Sequence, residues 1–301
     1  MKTDAPTALA KAGISSTRIA SIRAVPGRHR NDVWRIRLRA PTSHVVLKLQ
    51  SPLTGFQSVA HEAKILDLLG RHTGVPALVA AGTVGLSGPP FLITEALGGT
   101  PLARWLSRNQ HAAEGQLRSY AVWLHEFSRR TEPRRMLQKM AAEFTGPWAI
   151  SYSPGAAPPV ELDDGGVRPD ASCATPSNVH RATLVHGSFD PNNILVADDG
   201  SASLDGVVDY EATRLGSPLI DIAGLALHLL MWGRSDLAHT WLNVTAVTWN
   251  WRSLAHDAIP YLCAQHERRR NAARGDSDVA VATQSLIDDF VIRVRRDHAT
   301  R

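Results

Sequence analysis

Residues 184–196 read Leu184-Val185-His186-Gly187-Ser188-Phe189-Asp190-Pro191-Asn192-Asn193-Ile194-Leu195-Val196, and one turn later the chain continues Gly206-Val207-Val208-Asp209-Tyr210-Glu211. The apolar runs bracket Asp198-Asp199-Gly200, a turn composition, and together they predict a hairpin of two buried strands. Such a hairpin is a rigid base for polar groups. Asn193 leaves the loop ahead of the first strand and Asp209 leaves the second, so an amide oxygen and a carboxylate can converge on one hard cation such as Mg²⁺. A cation held in this way serves phosphate chemistry.

A second pair of candidates lies upstream. Lys48 is a lone cation in Val45-Val46-Leu47-Lys48-Leu49, and a buried ammonium is costly unless it reaches water or an anion. The segment after it, Phe56 to Leu69, has Val59, Ile65, Leu66 and Leu69 at helical spacing and carries Glu62 within it.

His186, Gly187, Asn193 and Asp209 resemble, in type and spacing, the catalytic and metal-binding loops of the aminoglycoside phosphotransferase and choline kinase group, relatives of protein kinases. That signature runs His-Gly-Asp, four residues, Asn, then a strand ending in Asp. The resemblance covers roughly Val25 to Ala223. It implies a two-lobed protein-kinase-like α+β fold, with an N-terminal antiparallel sheet plus helix over 1–97 and a larger, mostly helical C-terminal lobe over 98–301. It further implies that Lys48 holds the phosphates of ATP, that Glu62 positions Lys48, and that Asn193 and Asp209 bind Mg²⁺. Glu95 to Leu97 would form the hinge whose backbone holds the adenine ring. Pro26 to Asn31, with Arg28, would fold over the phosphates, and His186 would brace the loop.

Two departures stand out. Ser188 occupies the position of the family's catalytic Asp, and a serine hydroxyl at pH 7 cannot take up the acceptor's proton. Gly216-Ser217-Pro218 stands where the family usually has Gly-Asp-Pro. Three explanations of Ser188 remain open at this level: Asp190 supplies the missing carboxylate, the chain is a disabled variant of an active enzyme, or the departure is natural and marks a slow kinase or a pseudokinase. Lys48 and Asp209 are retained, which argues that Mg-ATP still binds.

The elements that must position these residues follow from periodicity. Ala5 to Gly13 reads as an entry helix; Arg18–Val25, Asp32–Arg39, His44–Leu49, Val75–Gly82 and Pro90–Leu97 as strands; Pro101–Arg108 and Glu114–Arg130 as helices. Arg134 to Phe144 is a further helix candidate, whereas Pro154 to Ser177 is rich in Pro, Gly and Asp, so Asp163 and Asp164 read as solvated. Leu219 to Trp232 is the longest apolar run, but Asp221 and His228 interrupt it and it falls short of a membrane span; it reads as a buried helix opened and capped by Asp221. By resemblance, Asp221 also accepts hydrogen bonds from the catalytic-loop backbone. Trp241, Trp249, Trp251, Tyr261, Leu262 and Ile287 read as core.

A length of 301 residues with 44% hydrophobic content supports a substantial core. The net charge of +5 is spread along the chain apart from Arg268-Arg269-Arg270, which argues against a nucleic-acid partner. A basic chain also argues against polycationic aminoglycosides as substrates. Cys173 and Cys263 lie far apart, with neither metal-ligand spacing nor a disulfide framework, and no signal peptide is visible; a cytoplasmic location fits.

The expectation is therefore an ATP-dependent phosphotransferase acting on a hydroxyl of a small molecule (an antibiotic, sugar or amino alcohol) or of a natural-product peptide. The alternative is a nucleotide-binding pseudokinase that serves as a partner or scaffold subunit. Nucleotidyl transfer at the same site is a third possibility.

Overall fold

The computed structural model describes residues 5–25, 31–39, 43–51, 58–85, 88–109, 114–130, 135, 183–199, 203–216 and 218–248. Arg28 and the rest of its turn up to Arg30, the 134–144 helix candidate apart from Arg135, the 154–177 stretch, and Trp249, Trp251, Tyr261, Leu262 and Ile287 lie outside the described residues. In chain order the elements are α1 (Ala5–Lys11), β1 (Ile19–Ala24), β2 (Asp32–Leu38), β3 (His44–Leu49), α2 (Ser58–Leu69), β4 (Leu78–Thr83), β5 (Pro90–Glu95), β6 (Thr100–Pro101), α3 (Leu102–Arg108) and α4 (Glu114–Ser128). Then follow β7 (Thr183–Val185), β8 (Ile194–Val196), β9 (Leu204–Val207), β10 (Arg214–Gly216), α5 (Leu219–Met231) and α6 (Ser235–Thr248). They form two compact units: Met1–Thr100 with Asn193–Thr213, and Pro101–Asn192 with Arg214–Arg301.

The first unit is built on a five-stranded antiparallel sheet of order β1-β2-β3-β5-β4. Strict alternation explains β3: Val45, Leu47 and Leu49 are buried on one face, while Val46 and Lys48 turn to the other. Ala5, Ala8 and Leu9 of α1 cover that first face and pack with Ile14, Ile36, Leu38, Phe91 and Ile93. The helix α2 packs on β4 and β5 through Val59, Ala63, Leu66 and Leu69, a stripe of helical period. Glu62 falls inside this apolar stripe and is 4% exposed, so it is not a solvated helix residue.

The hairpin β8–β9 also belongs to the first unit, with Ile194 opposite Val207 and Leu195 opposite Gly206. The Val207 N–H donates to the Gly74 carbonyl at 2.8 Å. A Cβ on Gly206 would collide with Leu97 Cδ1 and meet the Gly74 carbonyl oxygen at 2.9 Å, so only glycine permits this approach of strand to turn.

In the second unit β7 pairs antiparallel with β10, and α4 packs on α6, which packs on α5. Helix α5 buries Ile222, Ala223, Leu225, Ala226, Leu227, Leu229 and Leu230, the apolar helix expected over 219–232. No helix among the described residues is long and apolar enough to cross a membrane.

Candidate active site

Within the first unit, Lys48, Glu62 and Asp209 come together from β3, α2 and the segment after β9. Lys48 Nζ lies 2.6 Å from Glu62 Oε2, donates to Asp209 Oδ1, and is 3.8 Å from Glu211 Oε2. The Lys48 and Glu62 side chains are only 14% and 6% exposed. Burial alone would depress the lysine pKa, but Glu62, Asp209 and Glu211 overrule it and hold Lys48 above its usual range, firmly protonated. For Glu62, burial pushes the carboxyl upward, Lys48 opposes and Asp209 reinforces, leaving the net shift upward. Three carboxylates around one ammonium leave a negative excess next to it, a poised attraction for further cations.

Helix α2 holds the 209–213 turn at both ends. Glu62 Oε1 accepts from the Tyr210 N–H at 3.0 Å, and the His61 Nε2–H donates to the Thr213 carbonyl at 2.9 Å. Burial lowers the His61 pKa, in keeping with a neutral ring that donates here. Immediately before the first of these bonds Asp209 adopts a left-handed backbone, φ 71° and ψ 65°, the single positive-φ residue other than glycine among the described residues. Such a conformation is uncommon outside glycine and persists only when the surroundings over-determine it. The Val208 N–H donates to the Asn193 carbonyl at 2.9 Å, which extends the hairpin by one rung and sets Asn193 at the same end as Asp209. The side chains gathered at this end, Glu62, Asp209 and Glu211, offer carboxylate oxygens, the donor type that hard divalent cations take.

Glu211 and Asn31 are members of this cluster that the sequence reading missed. Asn31 is 5% exposed; its Nδ2 donates to Glu211 Oε2 at 3.1 Å and its Oδ1 accepts from the Ser51 N–H at 3.3 Å. A buried amide between two strands and a carboxylate 180 positions away leaves no periodic signal; the Asp209-Tyr210-Glu211 spacing was the one available hint. Glu62, Asp209 and Glu211 each bring a carboxylate oxygen within 4.8 Å of the others.

Glu95 and Leu97 stand apart from that cluster. The Glu95 carboxylate faces outward and pairs with Arg71 at 3.0 Å, both residues being exposed. The Glu95 N–H donates to the Ala77 carbonyl and the Ala96 N–H to the His44 carbonyl. A cavity of about 550 Å³ opens beside this segment, lined by Glu95 to Gly98 together with Arg18, Arg35, Leu38 and His44.

In the second unit, the loop after β7 is fixed by its backbone. Asp221 accepts from the His186 and Gly187 N–H groups, each at 2.7 Å. Asp221 was also expected to cap α5, and it does not: Pro218 holds the cap position, and Asp221, inside the first turn, aims its carboxylate at the loop. Burial raises its pKa to about 6, against the pull of the His186, Gly187 and Phe189 N–H groups and of Arg214. His186 is fully buried, and its Nδ1 accepts from the Ser188 N–H at 3.3 Å. Phe189 anchors the loop in an aromatic stack, 5.9 Å from Trp123 and 6.1 Å from Trp241 between ring centroids. Ser188 and Asp190 are adjacent in this loop, Oγ to Oδ2 3.5 Å.

Residues 21–256 match the phosphotransferase enzyme family known as APH. The chain belongs to that family. Viomycin phosphotransferase of Streptomyces vinaceus is 26% identical over 163 residues, 52% of this chain and 56% of that protein, so the chain spans about half the length of this relative. Among solved structures, Plasmodium vivax ethanolamine kinase aligns with a TM-score of 0.57 at 12% identity, over 99% of this chain and 91% of the other. A spectinomycin phosphotransferase in complex with ADP and spectinomycin aligns with a TM-score of 0.52 at 11% identity, over 96% and 93%. This likeness establishes a kinase-like α+β fold with an N-terminal antiparallel sheet and a helical C-terminal part, as expected.

Proposed function

We propose that this family member transfers the γ-phosphate of ATP to a hydroxyl of a small molecule. The observation that carries the reading is the partly buried Lys48–Glu62–Asp209 network, drawn from three separate stretches of sequence. Phosphoryl transfer needs little covalent chemistry from the protein; it needs positioning and neutralisation of charge. Lys48 holds the phosphate oxygens and Glu62 fixes the ammonium. The Asp209 carboxylate and the Asn193 amide oxygen are the ligands for Mg²⁺, which supplies charge neutralisation across the phosphates when bound. Asp209 is bonded to Lys48, a contact that phosphate and cation would replace. The backbone of Glu95 to Leu97 takes the nucleobase. Ser188 occupies the place of the acceptor-facing carboxylate.

Viomycin, spectinomycin and ethanolamine, the acceptors named for the relatives, are the first to test. Calorimetry with ATP and Mg²⁺ on the chain, Lys48→Met and Asp209→Ala, with ADP release followed against those acceptors, decides the matter. Binding by the chain, weakened at least about tenfold by Lys48→Met and made independent of Mg²⁺ by Asp209→Ala, supports the site. Absence of ATP binding by the unaltered chain would sink it and leave a scaffold role. Ser188 is what gives that second reading weight: a chain that binds ATP but transfers nothing acts as a nucleotide-binding partner subunit.

A further inference from the structure

The loop of the second unit holds a carboxylate where a serine alone would be inert. Asp190 Oδ1 accepts from the Asn192 N–H at 2.8 Å, and the Asp190 N–H donates to the Ser188 carbonyl at 3.0 Å. These two bonds orient the side chain so that Oδ2 faces Ser188 Oγ at 3.5 Å, a long contact of the kind that tightens when substrate is in place. Both residues are partly buried, and the loop that carries them is pinned on either side by Asp221 and by the Phe189 stack.

We propose that Ser188 and Asp190 act together as the proton acceptor for the hydroxyl that is phosphorylated, with Ser188 as the contact and Asp190 as the base. This rests on the phosphotransfer reading above. The acceptor oxygen forms its bond to the γ-phosphorus as the bond from that phosphorus to the bridging oxygen of ADP breaks. The acceptor's proton passes to Ser188 Oγ while the Ser188 proton passes to Asp190 Oδ2, so Ser188 ends unchanged and Asp190 carries the proton until solvent removes it. A hydroxyl alone lacks the basicity for this step; a hydroxyl backed by a carboxylate has it.

The plain alternative is that Asp190 only closes the local turn through its Oδ1 bond. Asparagine would close that turn equally well and cannot take a proton, so Asp190→Asn separates the two. The experiment compares the chain, Asp190→Asn, Ser188→Ala, and Asp190→Asn combined with Ser188→Asp. It records ATP affinity with Mg²⁺, then KM and kcat for ADP release with water, viomycin, spectinomycin or ethanolamine as acceptor. The expected result is ATP affinity within about twofold across the set, kcat lower by about 10²–10⁴ in both single variants, and recovery of kcat when Ser188→Asp is added to Asp190→Asn. A solvent deuterium effect on kcat in the chain, with a curved dependence on deuterium fraction, reports two protons moving together. Retained kcat in Asp190→Asn overturns the proposal and makes Asp190 a turn former. ATP bound without ADP release by the chain overturns it as well while leaving the nucleotide site standing; failure to bind ATP removes the phosphotransfer reading itself.

Discussion

The cluster around Lys48 and the loop around His186 are both polar and at least half removed from water, yet they are stabilised in opposite ways. At Lys48, charged side chains from distant segments meet each other, and each makes bonds that a ligand can replace. At His186, one carboxylate meets two backbone N–H groups, and an aromatic stack closes over the loop. The first arrangement is exchangeable and the second is fixed. Paired side chains can trade one charged partner for another, whereas a carboxylate bonded to backbone N–H groups fixes the segment that carries them.

The contrast can be tested by substitution, and the frame should give the largest effects on stability. Phe189→Ala removes a fully buried ring from between Trp123 and Trp241 and is expected to lower unfolding free energy by about 3–5 kcal/mol, measured by urea denaturation. A loss below about 1 kcal/mol would mean that the stack does not anchor the loop.

Asp221→Asn leaves one oxygen for two N–H donors, and a loss of about 1–3 kcal/mol follows. The change carries a pH signature. The folded pKa of Asp221, about 6, lies above its ordinary value of 3.8, so folding favours the protonated form, and the contribution of this group to stability rises as pH falls from about 6 towards 4. Denaturation between pH 4 and 7 should show that slope in the chain and lose it in Asp221→Asn; an unchanged slope would remove Asp221 as its source.

Glu62→Gln should act on the exchangeable side. Lys48 keeps Asp209 and Glu211 as partners, so unfolding free energy should move by about 1 kcal/mol, while ATP affinity with Mg²⁺ falls about tenfold because the ammonium is no longer held in place. A large stability loss with unaltered ATP affinity would reverse the comparison and make the pair structural. The smallest effect belongs to Arg71→Ala, which breaks the exposed pair with Glu95 and should shift stability by less than about 0.5 kcal/mol.

Much of this was legible in the chain because it depended on local chemistry. The period-2 alternation of His44–Leu49 fixed both the strand and the side on which Lys48 stands. The apolar spacing of α2 was equally plain, and the Asn193 and Asp209 positions follow from a short hairpin with a recognisable turn. Reading Asp221 as a helix cap failed because a carboxylate near a helix start suits either a cap or an acceptor for a neighbouring segment, and only the packing of β7 and α5 decides. Asn31 and Glu211 escaped for the same reason: their bond joins residues 180 positions apart.

What the sequence by itself determined is which residues carry charge, which faces turn inward and where the turns fall, since these depend on side-chain type and on neighbours within a few positions. Only the tertiary structure decided that Asp209 and Glu211 join Glu62 around Lys48, that Asn31 steadies Glu211, and that the His186 and Gly187 N–H groups are the ones Asp221 receives. Those partners are chosen by burial: a charge removed from water must find its counterpart wherever the fold brings one within reach, and that distance is not written along the chain.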